Sequence, residues 1–117
     1  MTTHTRVWSE TSSKHFAFRC FGLKSSPKAL LPSTGIVKVD CRALKNPWHN
    51  VKLRALSGKD EGIQDFIKTS SQFGILWAQV KGRIDTHESG ILAIDFVCLG
   101  GKHRSMAMLE LAWKYAT

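Results

Sequence analysis

The stretch that most constrains this chain is Ile91–Ser105, ILAIDFVCLGGKHRS. Ile91–Val97 is almost entirely apolar, the composition of a strand buried on both faces of a sheet. Gly100 and Gly101 interrupt it. After Ser105 comes MAMLELAWKYA, rich in strong helix formers, with Met108, Leu111, Ala112 and Tyr115 spaced along one face. The order is therefore strand, glycine turn, helix.

That order carries chemistry. The first N–H groups of a helix have no partner inside it, and the helix dipole places partial positive charge there. Two glycines let the backbone fold closely and aim amides at a ligand, while Lys102, His103 and Arg104 add charge and Ser105 a hydroxyl. An anion, most naturally a phosphate, is the expected guest. The plain alternative is a strand–helix turn that is merely basic.

Upstream, His15–Phe21 alternates Phe16, Phe18 and Cys20 with Ala17, Arg19 and Phe21 and predicts a strand. A loop with two prolines follows over Lys24–Thr34, and a helical turn fits Pro27–Leu31. Ile36–Asp40 predicts a second short strand. A long connection broken at Asn46-Pro47 leads to a turn at Gly58–Glu61 and a short helix carrying Ile63, Phe66 and Ile67. Ser70 or Ser71 is placed to cap the next helix, whose face holds Phe73, Leu76, Trp77, Val80 and Ile84. Strand, helices, strand implies a parallel pair with a right-handed crossover. The predicted fold is α/β: a small, mostly parallel sheet with flanking helices. Ligands in such sheets sit beyond the carboxyl ends of the strands, which brings Phe21–Lys24, Asp40–Arg42 and Cys98–Ser105 to one cleft.

Residues 1–14 are polar and hydroxyl-rich, expected as a flexible N-terminus before one domain over 15–117. No apolar run approaches the roughly 18 residues of a membrane span. Met1–Lys14 lacks a signal-peptide core, so a cytoplasmic protein is expected. Cys20, Cys41 and Cys98 have no metal-like spacing and are expected as reduced thiols, with no metal and no cofactor. Seventeen Lys and Arg against nine Asp and Glu give a formal charge of +8, spread along the chain, which favours nucleic acid or another polyanion.

CLGGKHRS, with VDCRALKNPWH (Val39–His49), LRALSGKDEGIQDFI (Leu53–Ile67) and Phe21-Gly22-Leu23-Lys24, resembles the C-terminal domain of the RNase adapter protein RapZ family over about His15–Tyr115. The resemblance implies an α/β domain that binds an amino-sugar phosphate and small regulatory RNA and presents the RNA to a ribonuclease. It also implies self-association. In that family the domain follows a P-loop nucleotide-binding domain, and no P-loop motif occurs in this sequence. Trp48-His49 stands in reverse order to the family's His-Trp. Leu99 replaces a threonine, and the family's basic tail does not follow Thr117.

The expected ligand-binding residues are Lys24, Asp40, Arg42, His49 and the loop Cys98, Leu99, Gly100, Gly101, Lys102, His103, Arg104 and Ser105. Arg104 is suited to grip a phosphate with two N–H groups. Ser105 contacts the phosphate or caps the helix, and Asp40 with Arg42 holds a sugar group or forms a pair. Lys24, Arg42, Lys102 and Arg104 are the expected RNA contacts. Among Trp8, Trp48, Trp77 and Trp113, Trp48 beside Pro47 is the best candidate for an exposed stacking platform.

Two alternatives stay open. Cys98 to Ser105 also fits C-x-x-G-x-x-R-S, the loop of cysteine-dependent phosphatases. There Cys98 is the nucleophile, Arg104 binds the equatorial oxygens, Ser105 eases thiolate departure, and Asp40, Asp60 or Asp85 protonates the leaving group. The third reading is an interaction protein that competes with a full-length RapZ.

Overall fold

In the computed structural model, which describes residues 3–9 and 14–117, the sheet is built outward from the apolar stretch Gly90–Cys98. This strand, β4, lies between β2 (Lys14–Gly22) and β3 (Ile36–Asp40) and runs parallel to both. An edge strand, β1 (Thr3–Ser9), pairs antiparallel with β2, giving the order β1-β2-β4-β3. The chain between β3 and β4 forms α1 (Val51–Arg54), α2 (Glu61–Lys68) and α3 (Phe73–Thr86), and α4 (Arg104–Ala116) follows β4. The fold is the expected α/β arrangement.

Period-two alternation in β2 sends Phe16, Phe18 and Cys20 to the helical side, where Ile94 and Phe96 of β4 stand beside them. They meet Ile63 and Ile67 of α2, Val80 and Ile84 of α3, and Met108, Leu109 and Ala112 of α4. Each fully buried large side chain stabilises by about 1.5–3 kcal/mol, so this layer fixes the register. On the opposite face Asp95 is 1% exposed, an unexpected acid within the apolar run. Arg19 grips it with two bonds of 2.8 and 2.9 Å, and Lys38 adds a third at 2.8 Å. Cross-strand cations thus make a buried carboxylate compatible with the central strand.

The N-terminal stretch departs from the expectation of a loose segment, since residues 3–9 form β1. What holds it is polar: Arg6 donates to both oxygens of Glu110 on α4 at 3.0 and 2.8 Å, and His4 Nε2 lies 2.9 Å from Oε2. Such anchors lie over a hundred residues apart in sequence and leave no apolar alternation to detect. Residues 1–2 and 10–13 of that stretch lie outside the described residues. Two smaller differences concern helix ends. Ser70 does not cap α3; its hydroxyl accepts from the Lys45 amide at 2.7 Å, tying down the long connection. Tyr115 is 42% exposed rather than in the α4 core face, and its hydroxyl donates to Asp85.

Candidate functional site

The parallel pairing of β2 with β4 continues past the strands. Leu23 N–H donates to the Cys98 carbonyl at 2.8 Å and Lys24 N–H to the Leu99 carbonyl at 3.0 Å, which carries Lys24 alongside the glycine loop. Gly22 makes that approach possible: a Cβ there would stand 2.4 Å from the carbonyl carbon and oxygen of Gly100. At Gly101 φ is 77°, the left-handed region that favours glycine.

This reversal turns the Gly101 amide onto Cys98 Sγ at 3.1 Å. The Cys98 thiol donates in turn to Ser105 Oγ at 3.2 Å, and Ser105 donates to the Phe21 carbonyl at 3.5 Å. Ser105 is fully buried. It neither lines the cleft nor caps the helix, so the expected phosphate contact is corrected: the hydroxyl holds the loop from beneath.

The next three residues are fixed from the other side. The Lys102 carbonyl accepts from Gly58 N–H at 2.9 Å. Lys102 Nζ and His103 Nε2 both reach the Arg54 carbonyl at the end of α1, at 3.3 and 3.1 Å. A carbonyl only accepts, so His103 Nε2 carries the proton. Burial pulls the His103 pKa below its ordinary value, so the ring is neutral at pH 7 and lends no charge. Arg104 is 7% exposed; one terminal nitrogen donates to the Arg42 carbonyl at 2.8 Å and, at 3.5 Å, to that of Leu44. Among the described residues, no carbonyl or side chain accepts from the amides of Gly100, Lys102, His103 or Arg104.

The loop Cys98–Arg104, with Lys24, Asn46 and Trp48, lines a cleft of about 340 Å³. Among the described residues, three cations, Lys24, Lys102 and Arg104, line it and no carboxylate does. The unshared amides and this one-signed lining suit an anion.

Besides Ser105, three expected ligands stand apart from the cleft lining. Asp40 and Arg42 bind each other, with Arg42 Nε and a terminal nitrogen 2.9 and 2.7 Å from the carboxylate. The Arg42 guanidinium holds the Asp40 carboxyl below the usual carboxylate range. Arg42 serves the site through its backbone carbonyl, which orients Arg104. His49 is exposed and does not line the cleft; with the residue order reversed, Trp48 occupies the cleft side. Asn46, which sequence reasoning missed as a site residue, lines the cleft and accepts from Trp48 N–H at 3.1 Å. Its signal was the Asn-Pro break itself.

The phosphatase constellation is incomplete. Asp40 is ionised by its partner, Asp60 accepts from Ser57 N–H at 2.7 Å, and Asp85 accepts from Tyr115. None of the three lines the cleft. Burial pushes Cys20 up to about 11 and Cys41 well above the ordinary thiol value. Among the described residues there is no cluster of metal-ligating side chains, and no helix long and apolar enough to cross a membrane.

A family model described as the RapZ C-terminal domain matches residues 15–116. A nucleotide-binding protein of Herminiimonas arsenicoxydans is 29% identical over 116 residues, covering 93% of this chain and 39% of that protein. One of Acidithiobacillus ferrooxidans is 29% identical over 113 residues, covering 90% of this chain and 38% of its own length. One of Cereibacter sphaeroides is 35% identical over 82 residues, covering 64% and 27%. The chain thus spans less than two fifths of each of these relatives.

Proposed function

The chain belongs to the RapZ C-terminal domain family, and from that premise we propose that it is a binding module for a phosphorylated ligand held at the Gly100–Arg104 loop. The observation that carries this reading is the cleft itself: among the described residues, unshared amides at the start of α4, three cations and no acid. The relatives' names describe nucleotide-binding proteins as wholes, so their ligand transfers to this domain only as support for a phosphorylated guest.

The finer reading follows the family. An amino-sugar phosphate is the small ligand the resemblance implies, and RNA is the polyanion that a +8 chain attracts. Lys24 and Arg42 are the exposed cations of the expected RNA set, whereas Arg104 meets a phosphate only from within the cleft. A ribonuclease partner, self-association and a cytoplasmic setting belong to the same proposal.

The test is phosphate binding by calorimetry at low salt. Arg104→Lys keeps the charge but loses the guanidinium fork, and Lys24→Ala removes an exposed cation; each should weaken inorganic phosphate about 5- to 20-fold. Affinity for single-stranded RNA should fall with salt at a log–log slope of roughly −0.7 per phosphate contacted. Wild-type-like phosphate affinity in both variants removes the loop from the reading. The phosphatase alternative keeps one supporting feature, a cleft-lining Cys98 whose sulfur accepts an amide. Aryl phosphate turnover lost in Cys98→Ser would be its signature, and a wild type without turnover ends it.

A further inference from the structure

We propose that the outer edge of β3 is a docking site for an extended acidic segment of a partner protein, which adds to the sheet as a further strand. None of the residues that form this edge lines the glycine-loop cleft.

β3 stands last in the order β1-β2-β4-β3, so only one side of it is paired. Val39 lies opposite Phe96, and Cys41 N–H donates to the Val97 carbonyl at 2.7 Å, so Val37, Val39 and Cys41 turn their backbone groups toward β4. Lys38 N–H and carbonyl and Asp40 N–H therefore point away from the sheet, and among the described residues none of the three has a partner. Natural edges are guarded by a proline, a bulge or an outward-projecting lysine. The sequence IVKVD holds no proline, and its register with β4 runs unbroken from Ile36 to Asp40. Its lysine does not project: the Lys38 side chain is 16% exposed, with Nζ held 2.8 Å from Asp95. The edge is left open.

The surroundings of this edge describe its occupant. Val37, Val39, Val80 and Ile94 line a groove of about 380 Å³ between β3 and α3, and Gln79 and Arg83 of α3 border it. Both are exposed, and among the described residues neither has a hydrogen-bond or ion-pair partner. An added strand alternates its side chains between the two faces of the sheet. One set meets the valines beside Arg83. The other stands beside Lys38, on the face where Lys38 and Arg19 outnumber the carboxylate of Asp95. Asp40, the acid at the strand's end, is already paired with Arg42. Apolar residues suit the first set and carboxylates the second. A second copy of this chain is the poorer occupant, since each copy carries a formal +8. An RNA strand has no amide ladder to match.

The experiment titrates the whole chain with a short capped peptide alternating valine with glutamate, read by fluorescence anisotropy and by amide hydrogen exchange. In the complex, exchange at the Lys38 and Asp40 amides should slow at least about 10-fold, while Val37 and Val39, already bonded to β4, change little. Methylating the peptide nitrogens that face β3 should weaken binding about 10-fold. Lysine in place of glutamate should weaken it at least about 10-fold. Arg83→Glu, an exposed change that removes no bond of the fold, should weaken it about 5-fold. No binding, binding indifferent to methylation, tighter binding of the lysine peptide, or unslowed exchange at Lys38 and Asp40 overturns the proposal. Two further outcomes overturn it by assigning the edge elsewhere. Slow exchange of both amides in a self-associated free chain gives the edge to a second copy. Single-stranded RNA that slows the same amides and displaces the peptide gives it to RNA.

Discussion

Gly22→Ala is the most direct probe of how the sheet shapes the phosphate loop. The added Cβ would lie 2.4 Å from the carbonyl carbon and oxygen of Gly100 and 2.9 Å from the Gly101 nitrogen, all backbone atoms with no rotamer to yield. Either β2 withdraws or the loop does. Overpacking of this kind costs about 1–3 kcal/mol, and contact with backbone puts it at the upper end. Alanine returns about 0.5–1 kcal/mol by narrowing the unfolded chain, so a net loss near 2 kcal/mol follows. In a chain of this length that lowers Tm by about 6–12 °C. Because the clash falls on the loop, phosphate affinity should drop in the folded variant at temperatures where wild type and variant are both native. Gly100→Ala is the matched control, since its Cβ meets nothing within 4 Å and its stability should hold or rise slightly. Thermal melts by circular dichroism and calorimetry with inorganic phosphate read both effects. A Gly22→Ala chain that melts within 2 °C of wild type (an illustrative cutoff, about a third of the smallest expected drop) and binds phosphate equally well would refute the close approach of β2 to the loop.

Other perturbations test other parts of the fold. Asp95→Asn leaves Arg19 and Lys38 without their buried counter-charge; with Arg19 partly solvated, the loss should be about 2 kcal/mol in urea denaturation, and a loss under 0.5 kcal/mol contradicts the triad's role. Burial alone would raise the Glu110 pKa, but hydrogen bonds from Arg6 and His4 hold it below its ordinary 4.5. Its contribution is therefore present above that pH and lost as pH falls through the folded value; Glu110→Gln should flatten the acid limb of Tm against pH. His103 gives a second acid-side slope, because its folded pKa lies below the ordinary 6.5 and unfolding takes up the proton. Stability should decline as pH drops below about 6.5, less so in His103→Gln. Cys20 and Cys41, buried with raised pKa values, should resist an aromatic disulfide reagent at pH 8 until the chain unfolds, and rapid labelling of either refutes their burial.

What was legible in the sequence is what local pattern encodes. The alternation of Phe16, Phe18 and Cys20, the apolar run of β4 and the helix after the glycines each state their period, and the structure keeps them. The convergence of Lys24 with Cys98–Arg104 followed from parallel strands ending together. What stayed hidden depends on partners remote in sequence. β1 is held by His4 and Arg6 through Glu110, Asp95 is tolerated only because Arg19 and Lys38 flank it, and Ser70 serves Lys45 rather than its own helix. In each case the residue type was visible and the polar partner that decides its role was not.

The same distinction changes how the loop itself is understood. Sequence reasoning assigns Cys98, His103, Arg104 and Ser105 outward, to a guest. The structure uses their polar atoms inward: Cys98 and Ser105 form a chain of bonds from the Gly101 amide to the Phe21 carbonyl, His103 holds α1, and Arg104 clamps the carbonyl of Arg42. A loop braced at four points does not need to order itself when an anion arrives, so little of the binding energy is lost to conformational entropy. On the proposed reading, contact with a phosphorylated guest falls to what the bracing leaves over, the unshared amides, Lys24, Lys102, the remaining donors of Arg104 and the ring of Trp48.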